Sequence, residues 1–247
     1  MSDPNDLEQP YPRALSGADV ANPPPALIPP RVALKGRYVT LEPQDAGKHA
    51  AALYQAGHEN EQALGIWDYL AYGPWQSVAA YEGVIRQQSA SFDPIFYAIC
   101  RSENGRACGQ ASIMDINAQF GTAEIGHIWF GLALQNSRAG SEALYLMIRH
   151  VMDDLGYRRM QWRCNSLNRK SRSAARRLGF RFEGVFYNHM IFKGQNRDTA
   201  WYSILDTEWP EICDLFEKWL APDNFDQAGR AKTSLGALMS TRKPGQR

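Results

Sequence analysis

One stretch of this 247-residue chain combines a strand pattern, a turn of small residues and an amphipathic helix, and it constrains the fold most. The strand pattern covers Thr122–Phe130 and the turn covers residues 135–140. The helix that follows carries one apolar stripe, formed by Leu144, Met147, Ile148, Val151, Met152 and Leu155. The first N–H groups of a helix lack partners inside it and suit an anionic ligand. The sequence therefore predicts a strand–turn–helix unit with an anion site at the turn.

Strand and helix patterns alternate along the rest of the chain. Strand patterns occur at residues 37–41, 95–100, 108–116, 159–164, 180–192 and 198–205. Helix patterns occur at residues 48–57, 78–88, 169–178 and 209–220. The segment Ser102-Glu103-Asn104-Gly105 is a turn signature that joins two of the strands as a hairpin. Strands interleaved with helices predict an α/β or α+β fold with a mixed sheet.

The bulk composition excludes several classes of protein. The chain is 44% hydrophobic and 21% charged, which predicts a folded protein. Its net charge of +1 predicts no strong positive electrostatic field that would attract nucleic acid. No apolar run is long enough to cross a bilayer, and the first residues lack a signal-peptide pattern. The cysteines do not have metal-ligand spacing. We expect reduced cysteines, no bound metal, no membrane partner and a cytoplasmic location.

The two ends differ from the middle of the chain. Residues 1–30 contain eight prolines, which predicts an extended or disordered lead-in. Residues 222–247 are polar and predict a C-terminal tail. We expect one folded domain over residues 31–221.

Three sequence blocks then coincide in order and spacing. The first is Ala123-Glu124-Ile125-Gly126 followed by Gln135-x-x-x-x-Gly140, and the second is Asn168-x-x-Ser171 with Arg176-Arg177-Leu178-Gly179-Phe180 behind it. The third is Phe182-Glu183-Gly184. In this combination, over about residues 34–205, the chain resembles the GNAT acetyltransferases, and within them the RimJ/RimL-like branch. Tyr72-Gly73-Pro74-Trp75 is similar to an uncharacterised subgroup of that branch.

The resemblance implies a fold, a donor and an acceptor. The fold is a mixed, mostly antiparallel twisted sheet flanked by helices. The donor is acetyl-CoA, and the acceptor is a primary amine on a protein N-terminus or a small molecule. The cofactor-binding residues that the resemblance implies are Ile128, Trp129, Phe130, Gln135, Asn136, Ser137, Arg138, Ala139, Gly140, Ser141, Asn168 and Ser171. The protein is expected to be a monomer or a homodimer.

The turn departs from the family pattern at one position. The family places a glycine where this chain has Arg138. A glycine lets backbone N–H groups approach a phosphate closely and tolerates unusual φ angles. Arg138 either reaches a phosphate with its guanidinium, provided that its backbone angles are ordinary, or marks a weakened phosphate site.

A basic cluster lies further along the chain. Nine Arg or Lys residues and no Asp or Glu occur from Tyr157 to Arg181. On a helix, Arg169, Arg172 and Arg176 would share one face, which suits a phosphate of coenzyme A. The alternative is a solvated helix face. We therefore include Arg176 among the candidate cofactor-binding residues.

Acetyl transfer requires an uncharged amine, and two residues are candidate bases. Glu124 lies on the strand where several GNAT enzymes place a base, and the alternative is a structural hydrogen-bond acceptor. His189 precedes Met190, which occupies the place of an acidic residue in RimL-like proteins. The tyrosine that many GNAT enzymes use to protonate the thiolate is Ala175 here, so Ser171 is the first candidate for that role.

Aromatic residues are candidates for the acceptor side. Those in the segment after the first helix would wall a substrate groove, or else pack as a cap over the sheet. A tyrosine on the penultimate strand is a further candidate, and it is also a second candidate partner for the thiol. The predicted substrate-binding residues are therefore Trp67, Tyr69, Tyr72, Trp75 and Tyr187. The sequence thus predicts an acetyl-CoA-dependent N-acetyltransferase. The alternative is a non-catalytic acyl-CoA-binding or regulatory module with the same fold.

Overall fold

The computed structural model describes residues 7–20, 23 and 25–242. They fall into two compact units. Unit A comprises Ile28–Asn117 and Ala123–Leu155. Unit B comprises the described residues within Met1–Leu27, Ala118–Thr122 and Gly156–Arg247. Predicted features at residues 1–6, 21, 22, 24 and 243–247 lie outside the described residues.

Unit A contains strands in sequential order. They are β1 (Leu34–Lys35), β2 (Val39–Pro43), β3 (Ile95–Arg101), β4 (Ala107–Asn117) and β5 (Thr122–Phe130), whose first residue belongs to unit B. The pairs β1–β2, β2–β3 and β3–β4 are antiparallel. The helices are α1 (Ala46–His58), α2 (Glu61–Leu64), α3 (Val78–Ala90) and α4 (Arg138–Arg149). A 3-10 turn at Gly65–Trp67 follows α2.

Apolar residues of α1, α3 and the strands form the core of unit A. Leu53, Tyr81 and Ile85 on the helices pack with Ala98 and Trp129 on β3 and β5. The predicted N-cap of α3 is confirmed, because the Ser77 side chain accepts a hydrogen bond from the N–H of Ala80.

A buried carboxylate ties α4 to the turn between β1 and β2. Glu142 is 5% exposed, and its Oε2 accepts hydrogen bonds from the N–H groups of Tyr38 at 2.6 Å and Val39 at 3.0 Å. Its Oε1 accepts from the N–H of Arg37 at 2.9 Å. A Cβ at Gly36 would lie 2.6 Å from Glu142 Oε2, so glycine leaves room for this contact. These hydrogen bonds hold the turn between β1 and β2 against α4.

Unit B contains β6 (Arg159–Asn165), β7 (Arg181–Phe192) and β8 (Gln195–Leu205) in the order β6-β8-β7. Both pairs are antiparallel. Helix α5 (Arg169–Arg177) connects β6 and β7, and α6 (Trp209–Leu220) follows β8. The turn between β7 and β8 is formed by Lys193 and Gly194, whose φ angles are 48° and 77°. Both lie in the left-handed region that such hairpin turns require.

Arg13 anchors the segment that precedes the first strand. Its guanidinium hydrogen-bonds Glu183 Oε1 at 2.7 Å, Glu208 Oε2 at 2.7 Å and Ser203 Oγ at 2.7 Å. The N–H of Tyr11 also donates to the carbonyl of Phe182 at 2.7 Å. The described residues before β1 form no helix or strand, yet these contacts fix residues 11–13 on unit B.

The region beyond α6 holds a helix that the sequence analysis did not predict. Helix α7 (Leu235–Ser240) buries Leu235, Leu238 and Met239. Its six residues are too few to show a helical period, so the region looked like a polar tail. Within the described ranges, no helix combines the length and hydropathy needed to span a membrane.

Candidate active site

The turn before α4 holds its strained residue at an unexpected position. Asn136 has a φ angle of 54°, whereas Arg138 is the first residue of the helix and has no positive φ. Ser137 caps the helix: its Oγ accepts from the N–H of Gly140 at 3.0 Å and donates to the carbonyl of Leu134 at 2.7 Å. Asn tolerates the left-handed region better than most residues. The turn therefore does not need a glycine at residue 138.

Gly140 and Gln135, the two positions that match the family turn, have packing roles. A Cβ on Gly140 would lie 2.6 Å from the carbonyl oxygen of Leu134, which is closer than real Cβ contacts. Gln135 Nε2 donates to the carbonyl of Phe130 at 2.9 Å. Ser141 is 3% exposed, and its Oγ donates to the carbonyl of Ser137 at 3.3 Å. Ala139 lies between these residues in the first turn of α4. These contacts fix the turn at the end of β5.

Arg138 places a cation at the start of α4. Its guanidinium carbon lies 3.9 Å from the centre of the Tyr38 ring. The first turn of α4 contains no acidic residue. A cationic side chain and the positive end of a helix dipole both favour an anion. This end of unit A therefore fits a phosphate-bearing ligand.

Most of the aromatic segment is packed into the core of unit A. Trp67 is 1% exposed, and its Nε1 donates to the carbonyl of Gly57 at 2.9 Å. Trp75 contacts Trp67 with ring centroids 5.0 Å apart. Trp129 contacts Trp67 from β5 at 5.3 Å. Tyr69 is 40% exposed. The structure thus matches the packed-cap alternative for Trp67 and Trp75.

Tyr72 differs because its hydroxyl reaches β5. Tyr72 Oη lies 2.9 Å from His127 Nδ1, and the two rings stack with an interplanar angle of 10°. Gln110 Nε2 donates to Tyr72 Oη at 3.2 Å and to the carbonyl of His127 at 3.3 Å. Gln110 Oε1 in turn accepts from Gln44 Nε2 at 2.7 Å. A polar chain therefore runs from Gln44 to His127 through the interior of unit A.

Sequence reasoning missed His127 and Gln110. A glutamine within the buried apolar run of β4 is the signal that was present, since a buried polar side chain needs a specific partner. His127 gave no signal, because its φ angle of 51° arises from an irregularity in β5 that the alternation of residues does not reveal.

Glu124, the first candidate base, is buried on β5 at 3% exposure. Its Oε1 lies 3.7 Å from the place of a Cβ on Gly126. Burial to this degree favours action through a water molecule, or a structural role, over direct contact with an acceptor. Ile128 and Phe130 are partly exposed on the same strand.

Glu42, His49 and Cys100 bring possible ligand atoms within 4.8 Å of one another. His49 Nδ1 accepts from the N–H of Asp45 at 3.0 Å, so Nε2 carries the proton and faces Glu42 Oε2 at 3.1 Å. Lys48 also pairs with Glu42 and lowers its pKa. Burial raises the pKa of Cys100 to about 12. The three side chains form a hydrogen-bonded cluster, and binding a metal through Nε2 would displace the ring proton from its contact with Glu42.

In unit B, Asn168 and Ser171 form the start of α5. The Asn168 side chain accepts from the N–H of Ser171 at 3.1 Å. Ser171 Oγ accepts from Trp162 Nε1 at 3.0 Å. Burial raises the pKa of Cys164 to about 11, while a hydrogen bond from Ser171 opposes this shift. The Ser171 hydroxyl therefore bridges Trp162 and Cys164.

Glu8 neutralises part of the basic face of α5. Its carboxylate lies 2.9 Å from Arg176 Nε and 3.4 Å from Arg172 Nη2. Arg176 is 54% exposed, whereas Arg172 is buried and donates to the carbonyl of Ser166. Only Arg176 of this pair is presented to solvent.

His189 and Tyr187 lie at an irregular part of β7. His189 Nδ1 is 3.0 Å from Thr199 Oγ1, and its ring contacts Phe186 and Trp201. Tyr187 is 73% exposed. It borders a hollow of about 260 Å³ whose walls include Leu7 and Asp198. His189 is therefore held by contacts within unit B, whereas the Tyr187 side chain is largely exposed to solvent.

Comparison with known proteins identifies the class. The chain matches the acetyltransferase (GNAT) domain over residues 39–181, more than half of its length. It is 28% identical over 172 residues to the Bacillus subtilis protein named "Putative ribosomal N-acetyltransferase YdaF", covering 68% of this chain and 90% of that protein.

Two solved structures are also similar. A GCN5-related N-acetyltransferase from Brucella melitensis is 41% identical, with a TM-score of 0.87 over 90% of this chain and 100% of that chain. A probable GNAT-family acetyltransferase from Chromobacterium violaceum is 36% identical, with a TM-score of 0.74 over 81% and 98% of the two chains.

The protein is therefore an acetyltransferase with the predicted mixed fold of strands and flanking helices. It belongs to the GNAT family, and the relative from Bacillus fits the predicted RimJ/RimL-like branch. Acetyltransferases of this family use acetyl-CoA, so the predicted donor is confirmed.

Proposed function

We propose that this protein transfers the acetyl group of acetyl-CoA to the primary amine at a protein N-terminus. The observation that carries the proposal is the similarity to a relative named as a ribosomal N-acetyltransferase, which spans 90% of that relative. A small-molecule amine is the competing acceptor. When bound, acetyl-CoA supplies a thioester that an uncharged amine attacks.

On the donor side, the start of α4 and its turn would hold the pyrophosphate. Ser137, Arg138 and Ala139 form this end of the helix, and Arg138 supplies a charge where the family has a glycine. Charge-assisted hydrogen bonds to phosphate are about twice as strong as neutral ones. Asn168, Ser171 and Arg176 are the corresponding candidates in unit B.

The reaction also needs groups that remove and return protons. A lysine-like amine has a pKa of about 10.4 and an α-amine about 8, so both are largely charged at neutral pH. Glu124, acting directly or through a water molecule, and His189 are the candidate bases from the sequence. Ser171 would hydrogen-bond the departing thiolate. Tyr69 and Tyr187 are exposed enough to contact an acceptor directly.

The test measures release of free thiol from acetyl-CoA with a panel of N-terminal peptides and small amines. Turnover with peptides supports the proposal, and turnover with small amines alone overturns the acceptor. Acetyl-CoA binding measured by calorimetry without turnover on any amine would instead favour the non-catalytic module.

A matched pair of arginine variants tests the donor site. Arg138→Ala should weaken acetyl-CoA binding about tenfold or more, since a hydrogen bond to a charged group contributes about 1.5–3 kcal/mol. Arg86→Ala removes an exposed arginine of α3 that pairs only locally with Glu82, and should leave affinity unchanged. Equal affinity in the two variants would show that Arg138 does not contact phosphate.

A further inference from the structure

Tyr72 and His127 combine a hydrogen bond and a ring contact in unit A. Their Oη–Nδ1 distance is 2.9 Å and their rings are stacked. The ring of Phe96 packs on His127 from β3, with centroids 5.0 Å apart. Both side chains are partly exposed, so the pair lies between the interior of the unit and its surface.

The neighbours of the pair fix the orientation of the Gln110 amide. The carbonyl of His127 can only accept, so the Gln110 atom beside it is the amide nitrogen, which also donates to Tyr72 Oη. Oη accepts from Gln110, and in the tautomer that leaves His127 Nδ1 unprotonated it donates its phenolic proton to that nitrogen. His127 Nδ1 is then the acceptor, and Nε2 carries the ring proton.

The backbone at His127 is held in a costly conformation. Its φ angle of 51° lies in the left-handed region, which non-glycine residues rarely adopt and which costs on the order of 1–3 kcal/mol. Gln110 bonds the carbonyl of the same residue and thus supports this conformation. Strain of this kind, supported by its surroundings, is a feature of functional sites.

We infer that Tyr72 and His127 act as a proton relay that deprotonates the acceptor amine, in place of the carboxylate of Glu124. An N–H bond of the ammonium breaks and its proton passes to Tyr72 Oη. The phenolic O–H bond breaks at the same time, and that proton forms an N–H bond at His127 Nδ1. The products are a neutral amine, a neutral phenol and an imidazolium, which returns its proton to solvent. The inference rests on the proposed amine acceptor.

The electrostatic surroundings agree with such a relay. Burial raises the pKa of Tyr72 well above its ordinary value, outweighing the hydrogen bond from Gln110, so the phenol stays neutral at physiological pH. Tyr81 on α3 interacts electrostatically with Tyr72, and burial raises the pKa of Tyr81 as well. Gln110 on β4 and Gln44 beyond it are uncharged, and Glu124 lies on the same strand as His127.

The first experiment measures kcat/KM against pH for the wild-type protein and Tyr72→Phe, with an acceptor found in the amine panel. The phenylalanine ring keeps the stacking on His127 and removes only the relay atom. The wild type should level off above the pKa of an imidazole, because a neutral imidazole can accept the proton. Tyr72→Phe should lose about 100-fold or more, and its rate should rise with pH up to the pKa of the amine itself.

Further variants separate the relay from a structural role. His127→Asn should show the same altered profile, since Asn tolerates the left-handed backbone but lacks the ring. Glu124→Gln tests the competing base: loss of the plateau in this variant, with an intact plateau in Tyr72→Phe, would overturn the relay. Tyr97→Phe is the matched control, because Tyr97 is a buried tyrosine of β3. Its hydroxyl donates a long hydrogen bond of 3.5 Å to the carbonyl of Pro30. An unchanged pH profile in Tyr72→Phe would overturn the relay even if the protein were less stable.

A second readout does not depend on turnover. Nitrogen-15 NMR of the ligand-free protein should show His127 protonated at Nε2 and accepting at Nδ1, and Tyr72→Phe should change the Nδ1 signal. A proton on Nδ1 in the wild type would overturn the relay. If the wild type acetylates no amine at all, the proposed function fails, whereas normal turnover with an unchanged Tyr72→Phe profile refutes the relay alone.

Discussion

Replacing Glu142 of α4 by glutamine should destabilise the protein. The carboxylate is 5% exposed and accepts from the N–H groups of Arg37, Tyr38 and Val39. These donors lie in the turn between β1 and β2, more than a hundred residues away in the chain. The exchange keeps the shape of the side chain and removes its charge and one acceptor atom.

The size of the effect follows from the geometry. In the better of its two orientations, the amide oxygen of the glutamine would take the place of Oε2 and keep the bonds from Tyr38 and Val39. Its NH2 group would then face the N–H of Arg37, and leaving this partly buried donor unsatisfied costs up to about 1–3 kcal/mol. The two remaining bonds also lose their charge assistance. The free energy of unfolding should therefore fall by about 2–4 kcal/mol.

Urea unfolding followed by tryptophan fluorescence measures this loss. Glu82→Gln is the matched control, because Glu82 forms an exposed i,i+4 pair with Arg86 at 2.5 Å, and such pairs contribute about 0.3–0.5 kcal/mol. If Glu142→Gln changed the free energy of unfolding as little as Glu82→Gln does, the three hydrogen bonds would not hold the turn to the helix, and the reasoning would fail.

Three further changes test other contacts. Gly140→Ala should cost about 1–3 kcal/mol in thermal unfolding, since the new Cβ would lie 2.6 Å from the carbonyl of Leu134, and a normal melting temperature would contradict that crowding. Burial opposes ionisation of Glu183, but hydrogen bonds from Arg159 and Ser203 outweigh it and lower its pKa. The ionised Glu183 carboxylate therefore stabilises the protein above the ordinary glutamate pKa, and this stabilisation is lost as pH falls. Glu183→Gln should be less stable than the wild type near neutrality and equally stable in acid. Denaturation measured at several pH values tests this. Ser171→Ala should lower stability by about 1–3 kcal/mol through Trp162, whose Nε1 loses its acceptor, and calorimetry with acetyl-CoA would separate this from any loss of affinity.

The sequence predicted the elements whose patterns are long and uninterrupted. Thr122–Phe130 and Trp209–Leu220 have the predicted bounds, because alternation and helical periodicity extend over nine and twelve residues. The start of α4 also followed from local signals, and Ser137 caps it. The structure adds that Asn136, rather than a glycine, takes the left-handed position.

Contacts between distant parts of the chain could not be predicted in this way. Glu142 looks like an ordinary helical carboxylate, and nothing in its neighbourhood indicates the turn that it binds. His127 looks like one of several residues along a strand, and only the fold brings it to Tyr72. The six residues of α7 offer less than two helical turns of pattern. Contacts between residues far apart in the chain leave no periodic pattern from which a single sequence could predict them.

The ionic cluster around Arg13 lies outside the range that the family match covers. The family match starts at residue 39, after Arg13, and ends at residue 181, before its partners Glu183 and Glu208. A protein trimmed to the matched range would lose both halves of this ionic cluster, together with β8. We therefore expect that a stable fragment of this chain must extend beyond both ends of the family match, far enough to include Arg13, Glu183 and Glu208.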